Sequence, residues 1–203
     1  MILYIDEAKS REQALSKCLE KANANASEVL SKEEEIAGSL FKSTKYKVTV
    51  VTKEEIKKEM IDFFIQLGNL MKISIEPTVT EDDNIFKIYL ESTNNSILIG
   101  KDGRTLKSIQ ILLKQSLLSK TGMNVKTSLD ISGYKEKKMK HLENTVRRVA
   151  SEVIHSKIDA KLDPMNSYER RFVHTIISEY TMLKTESVGE DPQRCVVISY
   201  KQD

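Results

Sequence analysis

Apolar positions recur at two periods along this chain, and the switches between them mark out its elements. Ile56, Met60, Phe63, Phe64 and Leu67 keep the three-and-four spacing of one helix face. Thr52-Lys-Glu-Glu55 just before them reads as a capping box that opens the helix, and Gly68 predicts its end. The period then drops to two. Residues 73–80 and 84–91 read as strands about the turn Glu81-Asp-Asp83, with Phe86, Ile88 and Leu90 turned to one side. A short helical turn follows Asn94-Asn95 and runs through Ile99. From Gly103 to about Lys120, Leu106, Ile109, Leu113 and Leu117 again form one helical stripe, and Val125, Thr127, Leu129 and Ile131 alternate as a third strand. The order is helix, strand, strand, helix, helix, strand.

The flanking segments are read the same way. Residues 2–5 form a short apolar strand, and Ser10-Arg-Glu-Gln13 caps a helix whose face is Leu15, Cys18, Leu19 and Ala22. Periodicity fades from Asn23 to Thr44, where Glu33-Glu-Glu35 reads as an exposed charge run and Ala37-Gly-Ser39 as a turn before Leu40-Phe41. A strand over 46–51 closes this part. At the other end, Leu142, Val146, Val149 and Val153 stripe a helix from Tyr134 to about Ile158. Asn166 and Glu169 cap a second helix with Phe172, Val173, Ile176, Ile177 and Tyr180 on its core side, and residues 195–200 form a closing strand. The expected fold class is α+β in three small units: a βα-plus-strands unit over 1–51, an αββααβ unit over 52–133 and a third unit over 134–203.

Composition narrows the class. Of 203 residues 39% are hydrophobic and 31% charged, and no apolar run approaches the roughly 20 residues of a membrane span. The amino terminus lacks the basic start of a signal peptide, so a cytoplasmic protein is expected. Cys18 and Cys195 form neither a disulfide framework nor a metal-ligand pair, and His141, His155 and His174 lack metal spacing, so no cofactor or metal is expected. A nucleophile motif of the G-x-S-x-G kind is also missing, and the chain is read as a non-enzyme. The net charge of +2 hides an asymmetry: residues 1–93 carry 13 Lys+Arg against 17 Asp+Glu, and residues 94–203 carry 19 against 13. A basic half beside an acidic one points to a polyanion partner.

The basic half begins at Ile97-Leu-Ile-Gly-Lys-Asp-Gly-Arg-Thr-Leu106. Gly100 and Gly103 allow close approach of a ligand backbone, and the helix opening at Gly103 aims its positive end at the loop. Lys101, Arg104 and Lys107 add positive charge around a phosphate there, and Asp102 opposes it. A tight corner between two helices is the plain reading of a bare G-x-x-G. Further along, Arg170 and His174 lie one turn apart, away from the centre of the helix's core side, with Arg171 and Ser178 nearby. Such a cluster suits a phosphate or a stacked base. Lys135, Lys137, Lys138, Lys140, Arg147 and Arg148 decorate the preceding helix. Ile111 and Leu118 lie opposite the core stripe of their own helix, which predicts a second neighbour there.

The element order together with I-G-K-x-G-R-T-L resembles a type II KH domain, whose G-x-x-G loop clamps about four single-stranded nucleotides. D-P-M-N-S-Y-E-R-R-x-x-H, followed by E-x-x-G-E-D-P, resembles the Arg-x-x-x-His domain that binds single-stranded nucleic acid. The two in tandem behind a small amino-terminal unit are similar to the bacterial Jag family, also called the SpoIIIJ-associated or KhpB proteins. Gly38-Ser-Leu-Phe41 and the strand after it carry the thinner likeness over 1–51. The resemblance implies a cytoplasmic single-stranded RNA-binding protein, with single-stranded DNA left open, that acts as an RNA chaperone or post-transcriptional regulator linked to cell elongation and envelope homeostasis. It also implies a small KH-domain partner and leaves a homodimer open. The implied RNA-binding residues are Gly100, Lys101, Asp102, Gly103, Arg104, Lys107, Arg170, Arg171 and His174. The alternative is a scaffold that recruits a small KH protein and has little RNA affinity.

Overall fold

The structure, a computed structural model, describes residues 1–37 and 44–201. It falls into two compact units, Met1–Ser132 and Gly133–Asp203. The expected corner at Gly38–Phe41 lies outside the described residues.

The first unit begins with β1 (Tyr4–Ala8), α1 (Arg11–Ala22), β2 (Val29–Ile36) and β3 (Lys45–Thr52). The strands form an antiparallel sheet in the order β1-β3-β2. Ser10 accepts a hydrogen bond from the Gln13 N–H at 3.2 Å and so starts α1. Ala14 and Cys18 of that helix are fully buried against Val29, Val48 and Val50. Burial pushes the Cys18 thiol pKa up. The first strand starts later than its apolar residues predict. Glu33-Glu-Glu35 is exposed, as expected, but the run is part of a strand that was not foreseen, β2, where Glu33 pairs Val48 and Glu35 pairs Tyr46. An edge strand with its side chains in water can be acidic throughout, which conceals it from a search for apolar alternation.

β3 runs directly into α2 (Lys53–Met71), and β4 (Ile75–Asp82), β5 (Ile85–Ser92), α3 (Asn95–Ile99), α4 (Arg104–Thr121) and β6 (Lys126–Ile131) follow. β5 pairs antiparallel with β4 and parallel with β6. The hairpin turns on Asp83 and Asn84, at φ 50° and 59°, the left-handed pair that short hairpins favour. Phe64, Phe86, Leu90, Leu98, Leu113, Leu117, Leu129 and Ile131 are fully buried. α2 does not stop at Gly68. It continues to Met71 and ends on left-handed Lys72, and Gly68 instead lets the chain pass close by, since a β-carbon there would lie 2.8 Å from the Ile73 carbonyl oxygen.

The second unit contains α5 (Tyr134–Ser156), β7 (Ala160–Lys161), α6 (Ser167–Ile177), β8 (Leu183–Val188) and β9 (Cys195–Tyr200). The strands are antiparallel in the order β7-β9-β8. Val146, Ala150 and Val153 of α5 and Val173, Ile176 and Ile177 of α6 share one core with Val196 and Ile198. The capping box of α6 is complete: the Glu169 N–H donates to Asn166 Oδ1 at 3.0 Å, and the Asn166 N–H donates to Glu169 Oε2 at 2.9 Å. Among the described residues no helix is long and apolar enough to cross a membrane.

Candidate nucleic-acid interface

The loop between α3 and α4 takes its shape from its backbone. Gly100 sits at φ 69°, ψ −179°, a region open in practice to glycine alone, and a β-carbon there would fall 2.1 Å from Thr105 Oγ1. Asp102 at φ 56° and Gly103 at φ 81° carry the chain through two left-handed residues into α4. The Gly103 N–H donates to the Gly100 carbonyl at 3.4 Å, and the Arg104 N–H donates to the Lys101 carbonyl. These two amides are therefore used inside the loop, and an incoming anion meets the later first-turn amides of α4. Lys101, Asp102, Arg104 and Lys107 are exposed around the turn. Leu106 and Ile109, on the opposite side of the same helix, are buried and hold it to the sheet.

Arg170 and His174 sit in a different setting. Arg170 is only 8% exposed, because its Nη1 donates to the Met165 carbonyl at 2.8 Å and to Asp191 Oδ1 at 3.2 Å. His174 is half-buried, with Nδ1 2.7 Å from Thr185 Oγ1 and Nε2 3.0 Å from Ser187 Oγ, both on β8. A hydroxyl can give or accept a proton, so both ring nitrogens are satisfied in either tautomer. The expected side-by-side placement one turn apart is found, and Arg170 is packed under the loop that precedes β9. Arg171 is exposed, and Ser178 is used locally, donating to the Thr175 carbonyl at 2.6 Å. Sequence reasoning missed Thr185 and Ser187. Their signal was Leu183-x-Thr185-x-Ser187, an alternation whose inward positions are mostly hydroxyls.

The basic decoration of α5 is largely paired within its own unit. Arg147 binds Glu143 at 3.0 Å and Glu179 at 2.9 Å, Arg148 binds Glu152 at 3.0 Å, and Lys138 binds Glu169 at 2.7 Å. Hydrogen bonds to Glu179, Tyr180 and Glu143 hold the Arg147 pKa well above its ordinary value. In the first unit, Ile111, Leu112 and Leu118 are 51%, 57% and 42% exposed. The second apolar face of α4 is therefore largely exposed.

A glycine loop that delivers a helix N-terminus between a short helix and a mixed three-stranded sheet, together with an Arg-x-x-x-His helix on a second sheet, defines a tandem of KH and Arg-x-x-x-His modules. The family description "KhpA/KhpB, KH domain" matches residues 57–131, and the description of the Arg-x-x-x-His domain matches residues 140–200. The chain is 28% identical over 201 residues to the RNA-binding protein KhpB of Clostridium symbiosum, covering 97% of this chain and 90% of that one. It is 31% identical over 127 residues to the protein of the same name from Bacillus subtilis strain 168, covering 62% of this chain and 61% of that one. Over 149 residues it is 26% identical to the Lactiplantibacillus plantarum protein of that name, 73% of this chain and 46% of that one. The match thus spans nearly all of one relative and about half to three fifths of the others. The chain thus carries a KH domain of the KhpA/KhpB kind and an Arg-x-x-x-His domain in tandem, and over most of its length it is similar to proteins named KhpB.

Proposed function

We propose that this chain, whose relatives are named RNA-binding proteins, binds RNA in single-stranded form through the Gly100–Gly103 loop and the α6 face of Arg170, Arg171 and His174. One observation carries the reading: a loop opened by Gly100, in a backbone conformation that only glycine adopts, stands at the head of an 18-residue helix, ringed by the exposed cations Lys101, Arg104 and Lys107. Phosphate is the anion such a helix end accepts. The functional division is 1–51, 52–133 and 134–203, with the last two parts each contacting the strand. The role is that of a cytoplasmic RNA chaperone or post-transcriptional regulator serving cell elongation and envelope homeostasis, with no catalytic step. The test is anisotropy of a labelled unstructured RNA with the full chain across a salt series, plus strand exchange of a labelled hairpin. Affinity that falls steeply with salt and faster exchange support the reading, and absence of binding at low salt rejects it.

A second reading rests on the open apolar stripe. Ile111, Leu112 and Leu118 form the surface on which a small KH protein, or a second copy of this chain, docks. Under the scaffold form of this reading RNA affinity is weak and association is strong. Ile111→Glu with Leu118→Glu then abolishes association seen by analytical ultracentrifugation with the small KH protein and leaves the melting temperature unchanged. A monomeric wild type that ignores the small KH protein rejects it.

A further inference from the structure

Asp102 carries the one charge in the Gly100–Gly103 loop that works against a phosphate. Its backbone stands at φ 56°, ψ 18°, in the left-handed region. Glycine and asparagine suit that region at least as well as aspartate does, so conformation alone gives no reason for a negative charge at this position. The residue is exposed, in the same turn as the exposed cations Lys101, Arg104 and Lys107. The loop therefore presents two kinds of group in succession. A carboxylate comes first, at Asp102, and the cationic head of α4 (Arg104–Thr121) follows it.

We infer that Asp102 reads the sugar of the bound strand: its carboxylate accepts a hydrogen bond from a ribose 2′-hydroxyl, and the loop thereby selects RNA over DNA. The inference rests on the RNA-binding reading above and deepens it by naming the sugar. An ionised carboxylate can only accept hydrogen bonds. Along its phosphates and deoxyriboses a DNA strand offers acceptors and no donor, whereas RNA offers one donor per nucleotide, the 2′-hydroxyl. A strand laid backbone-first on the loop thus brings Asp102 a repulsive group in either case, and an attractive one in RNA alone. Against DNA the carboxylate only subtracts from what Lys101, Arg104 and Lys107 supply. Against RNA a charge-assisted hydrogen bond offsets the repulsion. Phosphate and sugar alternate along a strand, so a phosphate seated on the first-turn amides of α4 sets a ribose beside it, on the side where Asp102 stands in the loop. An aspartate that served the backbone alone would weaken both strands equally.

The test compares two strands of equal length that differ only at the 2′ position, oligouridylate and oligodeoxyuridylate. Both are titrated into the full chain at one low salt concentration with EDTA present, and binding is read by anisotropy. Wild type binds oligouridylate about tenfold more tightly. Asp102→Gly, which suits the left-handed backbone, tightens the deoxy strand and removes most of the preference. Asp102→Asn keeps an acceptor oxygen without the charge and retains part of it. In ¹³C-labelled wild type, the Asp102 carboxyl carbon followed by NMR shifts further with oligouridylate than with the deoxy strand. Oligodeoxyuridylate bound by wild type as tightly as oligouridylate, or a preference that Asp102→Gly leaves unchanged, overturns the inference and leaves RNA binding by the chain intact. A preference that appears only once magnesium is added overturns it too, since a cation between carboxylate and phosphate would then be the ligand. Wild type that binds neither strand overturns this inference and the reading beneath it together. Should Asp102→Gly melt below wild type, the carboxyl carbon decides: equal shifts with the two strands overturn the inference.

Discussion

Lys101, Arg104 and Lys107 stand in water on a loop shaped by backbone dihedrals, whereas Arg170 is 8% exposed and bonded to a carbonyl and a carboxylate, and His174 is bonded at both nitrogens. The first site keeps its form apart from its charges. In the second, form and charge are the same atoms. Substitution of a cation in the loop should therefore alter binding and spare the fold, and substitution in the α6 site should damage both. Lost binding alone is decisive for the loop and ambiguous for Arg170.

The largest effect is expected at Arg170. Arg170→Ala leaves the Met165 carbonyl without its donor beneath the loop, and should lower stability in urea by about 3 kcal/mol. Gly100→Ala comes next. It places a side chain in a dihedral region closed to it and against Thr105, so about 2 kcal/mol should be lost, with a matching loss of RNA binding. If Arg170→Ala melted like wild type, the contrast between the two sites would collapse.

How much of this the sequence shows depends on what each feature is made of. α2, α4, β5, β6 and the α6 capping box were legible because apolar side chains or cap residues announce them, and the glycine loop was legible because two glycines must bracket it. β8 was hidden because Thr185 and Ser187 face inward as hydroxyls, and with it went the partners of His174. β2 was hidden by its glutamates, and Gly68 was misread because a glycine that admits a neighbouring chain has the same letter as one that ends a helix. The burial of Arg170 was not legible at all. It depends on Asp191 and Met165, which approach only once β9 has paired with β8.

A smaller effect should appear in acid. The Lys53 ammonium at 2.9 Å, and after it the Asn84 N–H, hold the Glu81 carboxyl pKa below its ordinary value. A carboxyl so depressed adds stability that is fully present above its unfolded pKa and is lost as the pH falls through its lower folded value. The first unit should therefore melt earlier below about pH 4. Lys53→Met should lose part of that acid-side dependence and leave the second unit's melting unchanged. A melting profile that is flat over this window in wild type would show that the clip contributes nothing.

The smallest effect on stability, and the sharpest on function, is expected at Lys101. Lys101→Asp leaves Gly100, Gly103 and the buried Leu106 and Ile109 in place, and an exposed substitution of this kind usually changes stability by less than about 0.5 kcal/mol. It sets a second carboxylate beside Asp102 where a phosphate approaches the head of α4, so repulsion replaces attraction near the helix N-terminus. RNA affinity at low salt should fall about tenfold, and the gap from wild type should narrow as salt rises, since an exposed charge is screened. The measurement is anisotropy on one unstructured RNA at several salt concentrations, with the melting curve taken on the same sample. Wild-type affinity for Lys101→Asp beside lost affinity for a folded Arg171→Ala would assign the RNA site to the second unit alone. The exposed loop of the first unit would then be a corner of the fold, and the open stripe of Ile111 and Leu118 on the same helix would become its principal functional surface.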